Sequence, residues 1–324
     1  MQIFRSFEAL PAGAAGAVYA IGNFDGLHRG HRAVVAEAAR VAAESGAKHG
    51  VITFEPHPRS FFAPKDSPFR ITPFDRKAEL LARWGVDLVA AVPFDAALAA
   101  TSAADFVERH IVGGLQAKHL VVGHDFAFGH KRSGNVEYLR RRGAELGFGV
   151  SVIPAQLAET GALYSSRAIR ELLGSGRPRD AAEILGRWWC VRGTVRRGYA
   201  RGRDLGYPTA NLHLEEHLQP SLGIYAVRAA VTEAGGRRWY DAAASLGVRP
   251  TFNGKGVLLE VHVLDFSGDL YDRTLDVAFV EYLRPEERFP DIDSLKRQMA
   301  ADCLRSRAIL ADRRNSLERF GEAP

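Results

Sequence analysis

At 324 residues the chain exceeds the size of one ordinary hydrophobic core, so two domains are expected. A 46% hydrophobic and 25% charged composition is that of a globular protein, and two cysteines, Cys190 and Cys303, exclude a disulfide framework or a four-cysteine zinc site. The net charge of +5 suits anionic ligands, but only seven of the 43 basic residues are Lys, so the Arg excess reads as compositional bias rather than a nucleic-acid stripe.

The first half alternates short apolar runs with helical patterns. Val18 to Ile21, Val51 to Phe54, Leu88 to Val92, Leu120 to Val122 and Val150 to Ile153 read as buried strands. Helical spacing falls at His31 to Glu44, Phe74 to Trp84, Ala103 to Ile111 and Val136 to Leu146. The alternation predicts a doubly wound parallel sheet, an α/β fold that binds ligands beyond the carboxyl ends of its strands. Two further helices, Ser166 to Leu173 and Arg179 to Leu185, close this half. From Trp188 the pattern changes to strands at Val191 to Val195, Ile224 to Val231, Arg238 to Ala244, Leu258 to Leu264 and Leu275 to Tyr282, then a helix over Asp293 to Leu310. That predicts a small antiparallel β-barrel with a C-terminal helix. The domains are accordingly placed at 1–186 and 187–324. No run is long enough to span a bilayer, and Met1 to Leu10 carries Arg5 and Glu8 instead of a signal-peptide core. A cytoplasmic protein without membrane or nucleic-acid partners is expected; the sequence says nothing of its oligomeric state.

Two segments carry chemistry. The first, Gly22-Asn23-Phe24-Asp25-Gly26-Leu27-His28-Arg29-Gly30-His31, leaves the first strand and enters the first helix. A strand-to-helix turn aims backbone N–H groups and the positive helix end at a ligand, and its glycines admit a polyphosphate. His28 and His31, three apart, can both donate to charge developing on an α-phosphate, although either could simply cap the helix. No Walker lysine motif and no Rossmann glycine fingerprint is present. The second segment is Arg201-Gly202-Arg203-Asp204-Leu205-Gly206-Tyr207-Pro208-Thr209-Ala210-Asn211, preceded by Gly193-Thr194-Val195-Arg196-Arg197-Gly198. Thr209 and Asn211, two apart, would face the same way on an extended backbone and offer hard oxygen donors to Mg²⁺.

The H-x-G-H loop resembles the signature of a nucleotidyltransferase superfamily. With Thr53-Phe54-Glu55-Pro56-His57-Pro58, Val122-Gly123-His124-Asp125-Phe126-Ala127-Phe128-Gly129 and Ser165-Ser166-Arg167-Ala168-Ile169-Arg170, it is similar to the FMN adenylyltransferase domain of prokaryotic bifunctional riboflavin kinase/FAD synthetases. The Pro-Thr-Ala-Asn stretch, with the segments from Ser245 to Phe252 and Leu259 to Val263, resembles the riboflavin kinases of the same family. The resemblance implies ATP-dependent phosphorylation of riboflavin to FMN, then adenylylation of FMN to FAD with release of pyrophosphate, with Mg²⁺ as cofactor.

It further implies that Asn23, His28 and His31 act on the ATP phosphates with Gly22 and Gly30, and that Ser165, Ser166 and Arg170 hold the pyrophosphate. Phe54, Pro56, His57, Pro58 and Asp125 line the flavin side, with Phe62 and Phe128 as stacking partners. In the second domain Gly198 and Arg203 bind ATP, Thr209 and Asn211 hold the metal, and Glu260 is the general base; His262 reads as structural. Two positions depart from the family pattern: Arg167 stands where Thr is usual and Ser245 where Asn is usual. A kinase with a weak or inactive adenylyltransferase, and an RNA-binding or synthetase-like protein of the same superfamily, are the alternatives.

Overall fold

A computed structural model describes the chain except for residues 65–67, 159–160, 198–201, 203–204, 234–235, 252–253 and 321–324. It divides into two compact units, Met1–Asp66 with Thr72–Ser165, and Ser67–Ile71 with Ser166–Pro324. The short segment ending at Ile71 belongs with the second unit because Arg70 bridges His217 and the Trp189 indole donates to the Ile71 carbonyl at 3.0 Å.

The first unit is built on strands β1 (Gln2–Phe4), β2 (Val18–Ile21), β3 (His49–Phe54), β4 (Leu88–Val92) and β5 (His119–Gly123), a small hairpin of β6 (Ala127–Phe128) and β7 (Gly134–Asn135), and β8 (Gly149–Ile153). The main sheet runs β1-β4-β3-β2-β5-β8, parallel throughout. β2 and β4 are buried along their whole length, which is why they read as continuous apolar runs instead of alternating ones. One face packs Val18, Ala20, Val51, Val89 and Ala91 against Val34, Val35, Ala38, Leu80 and Leu81 of the helices Arg29–Ser45 and Phe74–Arg83. The other packs Tyr19, Ile21, Ile52, Leu88 and Ala90 against Phe106, Val107, Ile111 and Leu139. Helices therefore cover both faces, as the strand–helix alternation predicts. The winding reverses between β2 and β5, and the loops leaving those two strands flank the crevice where such sheets bind ligands.

Two local features differ from expectation. β1, too short and too exposed to show a pattern, adds an edge strand beside β4. The helix expected at Ala103 to Ile111 is a single α-turn, Ala103–Asp105, continued by a π-helix over Phe106–Gly114. In the run Arg140-Arg141-Arg142, Arg142 is 21% exposed and bonds Glu108 and Glu145.

The second unit has the helices Ser166–Gly174 and Pro178–Leu185, then β9 (Trp189–Thr194), β10 (Ala210–His213), β11 (Gly223–Glu233), β12 (Gly236–Thr251), β13 (Gly254–Val263) and β14 (Thr274–Arg284). They form one antiparallel sheet, β10-β13-β12-β11-β14-β9. Its edges come together where Arg196 N–H donates to the Asn211 carbonyl at 2.8 Å, so the sheet curls into a barrel. Leu212, Leu259 and Leu246 lie in register across three strands, all fully buried. Because side chains alternate, the neighbouring row Asn211, Glu260 and Ser245 faces the opposite side. The C-terminal helix Ile292–Ala311, capped by the Asp291 carboxylate on Ser294 N–H, follows the barrel and contributes Leu310 to a core with Trp188, Ala226, Ala278 and Val280.

Candidate active sites

In the first unit, the loop after β2 contains two non-glycine residues with left-handed backbone, Phe24 (φ 49°) and Leu27 (φ 44°), beside Gly26 (φ 91°). Such strain persists only where surrounding packing fixes it, and both side chains are buried to within 1% of full burial. His28 is the N-cap of the helix Arg29–Ser45: its Nδ1 accepts from His31 N–H at 3.3 Å. That bond places the ring proton on Nε2, a donor of the kind that an anionic ligand accepts from. The His28 and His31 rings stack with centroids 3.7 Å apart, and Phe24 closes edge-on against His31 at 5.2 Å. Capping and phosphate binding are thus compatible roles of one imidazole.

Gly30 serves that arrangement differently from the sequence expectation. Its φ is ordinary, but a Cβ there would lie 3.1 Å from the His28 ring and 3.3 Å from the Tyr164 carbonyl oxygen. The missing side chain makes room for His28. Gly22 is less restrictive, with only the Phe24 ring at 3.4 Å from the corresponding position.

Asn23 is exposed, and what holds it is a residue the motifs omit. The Lys77 ammonium is wholly buried and donates to the Asn23 carbonyl (2.9 Å), the Thr53 hydroxyl (3.2 Å) and the Glu55 carboxylate (3.0 Å), while Thr53 donates to the same Asn23 carbonyl at 3.1 Å. The sequence did carry a signal for it. Lys77, Leu80 and Leu81 share one helix face, and the two leucines mark that face as buried. Asp25, also buried, accepts from Thr72 N–H at 3.0 Å and fastens the loop from the other side.

The flavin-side residues follow β3 and β5. Glu55–Pro56 is a cis peptide, and His57 caps the short helix Pro58–Phe62 by accepting from Arg59 N–H at 3.1 Å. Phe54 and Phe62 both pack edge-on against Phe94, at 5.9 and 5.7 Å, with Phe61 alongside. Phe94 and Phe61 are members of this aromatic group that the motifs did not single out. Phe62 is 69% exposed, so its ring is free to meet a planar ligand. Asp125 is exposed at the end of β5. Phe128, by contrast, is buried among Phe106, Phe126 and Tyr138, and its ring fills the space beside Gly134. It acts as a core aromatic; Phe126, stacked on it and only partly buried, is the more accessible ring.

Ser165 lies at the end of the first unit; Ser166, Arg167 and Arg170 open the second. Both serines are half-buried. Arg170 donates to the Phe69 carbonyl at 3.0 Å and covers the Phe69 ring at 5.5 Å, which orients a half-buried guanidinium. Arg167 is 87% exposed and bonds Glu171 one turn on, at 2.8 Å.

In the barrel, Asn211 stands opposite Glu260 and Glu260 opposite Ser245. Thr209 lies just outside β10, and lines the same cavity as Glu260. That cavity, about 350 Å³, also presents Tyr207, Ile224, Ala243, Ser245, Phe289 and, from the C-terminal helix, Leu295 and Met299. A second cavity on the other side of Thr209, about 500 Å³, is lined by Val195, Ala210, Val263, Phe266 and Tyr271. His262 accepts no catalytic geometry: its Nδ1 bonds the Pro208 carbonyl at 2.8 Å and its ring meets Tyr207, so it fastens the Pro-Thr-Ala-Asn turn. Ser245 Oγ donates to Glu286 at 3.2 Å, and that carboxylate lies over Gly247, where a Cβ would collide with it. Gly198 and Arg203 lie outside the described residues. No group of three or more His, Cys, Asp or Glu suited to a metal occurs among the described residues.

Comparison with known proteins is decisive at this point. The FAD synthetase family model matches residues 11–167 and the riboflavin kinase model residues 185–310. A bifunctional riboflavin kinase/FMN adenylyltransferase of Pseudomonas fluorescens is 41% identical over 96% of this chain and 98% of its own length. The chain belongs to the bifunctional riboflavin kinase/FMN adenylyltransferase family. The Escherichia coli (strain K12) member is 37% identical over 95% of this chain and 97% of its own. A solved structure from Streptococcus pneumoniae, described as a macrolide-efflux protein, is 29% identical, with a TM-score of 0.83 over 94% of this chain and 98% of that one. Among the described residues no helix is long and apolar enough to cross a membrane. In this family member the two motif sets thus fall on two separate sheets, one parallel and one antiparallel.

Proposed function

We propose that this family member makes FAD from riboflavin in two steps, with residues 1–186 serving as the adenylyltransferase and 187–324 as the kinase. In the barrel, the Glu260 carboxylate takes the proton of the ribityl 5′-hydroxyl as that oxygen attacks the γ-phosphorus of ATP; the new P–O bond forms as the bond to ADP breaks. The apolar cavity beside Glu260 takes the flavin ring, and the cavity across Thr209 takes the nucleotide. Thr209 and Asn211 offer oxygen ligands to Mg²⁺, which when bound neutralises phosphate charge.

In the parallel-sheet unit, an oxygen of the FMN phosphate attacks the α-phosphorus of a second ATP and pyrophosphate departs. His28, its tautomer fixed by the helix cap, and His31 stabilise the charge building on the α-phosphate, with Asn23 beside them. Ser165, at the end of this unit, receives the pyrophosphate. Pro56, His57 and Pro58 shape the flavin side, Phe54 and Phe62 offer aromatic surface, and Asp125 stands at the strand end. No covalent enzyme intermediate is needed; positioning and charge stabilisation supply the rate. The setting is the cytoplasm and the substrates are small molecules.

The observation that carries this reading is the register of Asn211 with Glu260 beside a ligand-sized cavity, in a chain that also places a stacked His28/His31 pair at the switch point of a parallel sheet. Purified protein incubated with riboflavin, ATP and Mg²⁺ should yield FMN first and FAD after it, resolved chromatographically. Absence of both products from both supplied flavins overturns the reading, whereas FMN without FAD restricts it to the kinase.

A further inference from the structure

Lys77 is the most completely buried ammonium described in the chain, and none of the chemistry above uses it. Burying a lysine costs several kcal/mol unless its donors are satisfied, so its retention demands a reason. The reason lies in where its three partners come from. Asn23 belongs to the phosphate loop after β2, Thr53 to the carboxyl end of β3, and Glu55 to the start of the flavin-side run. One cation on a neighbouring helix therefore ties the two substrate-binding segments of the same unit together.

The contact with Asn23 is made at the main chain. Its carbonyl accepts from both Lys77 Nζ and Thr53 Oγ, which fixes the peptide while the residue itself stays exposed. The next residue, Phe24, has the left-handed φ of 49° and a fully packed ring. Packing holds the left-handed Phe24 and Leu27, and the two hydrogen bonds at Asn23 hold the peptide that precedes them. Glu55 supplies the countercharge that makes the buried ammonium tolerable, and in return its own position, directly before Pro56 and His57, is set.

Resting on the adenylyltransferase reading, we infer that Lys77 is a positioning residue for FAD formation: it holds Asn23 and the Glu55-to-Pro58 segment in mutual register for in-line transfer from ATP to FMN. It touches neither substrate. Its effect falls on kcat for adenylylation, because a displacement of about 1 Å in a reacting constellation costs roughly a hundredfold.

The test must separate positioning from simple charge balance. Thr53→Val is nearly isosteric, removes one bond to the Asn23 carbonyl and one acceptor of Lys77, and leaves the Lys77–Glu55 pair and the Lys77 bond to Asn23; Thr53→Ser keeps the hydroxyl. With FMN and ATP supplied directly, Thr53→Val should lower kcat for FAD about tenfold, with KM little changed, and Thr53→Ser should restore it. Lys77→Met should lower kcat roughly a hundredfold. The double change Lys77→Met with Glu55→Met removes the orphaned charge, so thermal stability should recover while kcat stays low. Recovery of kcat together with stability in the double variant overturns the proposal, as does wild-type kcat in Thr53→Val. Riboflavin phosphorylation, measured in the same preparations, reports an intact second unit, and far-ultraviolet circular dichroism with the thermal melt reports the first. If wild-type protein itself forms no FAD from FMN, the adenylyltransferase reading fails instead, and the two failures are distinct.

Discussion

Asn211 and Glu260 face one another across β10 and β13, one an amide suited to a metal and the other a carboxylate suited to a proton. Antiparallel register places their side chains on one sheet face, and that register is locked by Leu212 against Leu259 in the barrel interior. A slip of one residue would send Glu260 into the core. The two groups proposed for the kinase step are thus positioned by apolar packing one residue away.

Glu260→Gln tests the general base. The amide keeps size and polarity but cannot accept the hydroxyl proton, so FMN formation should fall by about 10²- to 10⁴-fold. FAD formation from supplied FMN should be unaffected. Single-substrate assays with riboflavin and with FMN check both halves, and equal loss of the two would displace Glu260 from the role.

His28 combines a cap with a donor, and two replacements separate them. Asn is a strong N-cap, so His28→Asn should hold thermal stability while FAD formation drops by about 10²- to 10³-fold. His28→Ala should lose the activity and also about 1 kcal/mol of stability. Thermal melts beside FAD assays distinguish the outcomes; an active His28→Asn protein would confine His28 to capping.

Gly30→Ala introduces a methyl group at 3.1 Å from the His28 ring and 3.3 Å from a main-chain carbonyl. The imidazole has to yield, because the carbonyl is the stiffer neighbour. FAD formation should fall by at least tenfold through displaced charge stabilisation, with kinase activity intact. A crystal structure of the variant should show the His28 ring moved away from residue 30.

The strand–helix alternation gave the doubly wound sheet because strands buried on both faces are apolar end to end, and β2 and β4 are such strands. β10 escaped notice: in Ala210–His213, one apolar–polar repeat after a turn is too short to register as periodicity, and only pairing with β13 makes it a strand. The H-x-G-H loop was legible as a phosphate site because its residue types are rare in that spacing. The use of Gly30 was not, since a glycine chosen for a neighbouring ring looks the same in sequence as one chosen for a ligand. Lys77 was missed for a related reason: a lone lysine among leucines is ordinarily a solvated side chain, and its burial depends on Asn23 and Glu55, both more than 20 residues away.

Arg167 replaces the family's usual threonine, yet its guanidinium is 87% exposed and paired with Glu171 on the helix surface. An exposed i,i+4 pair contributes well under about 1 kcal/mol. Arg167→Thr should therefore leave the melting temperature nearly unchanged. FAD formation in the variant should stay within about threefold of the parent, since no buried contact is lost. A large gain in FAD formation would instead mark Arg167 as an impediment to adenylylation.

Cys303 lines the cavity that holds Glu260, and burial, aided by the adjacent Asp302 charge, pushes its thiol pKa up. The nucleophile in alkylation is the thiolate, so a raised pKa means a smaller reactive fraction at neutral pH than an ordinary cysteine has. Modification by iodoacetamide should accordingly be slow at pH 7 and accelerate as pH rises past the usual cysteine range. Riboflavin occupying the cavity should slow it further by blocking approach. Mass spectrometry of timed reactions, with and without riboflavin, reads both effects at Cys303 against Cys190 as the internal reference. Fast labelling at pH 7 that riboflavin does not reduce would mean that the flavin ring lies elsewhere than beside Met299 and Cys303.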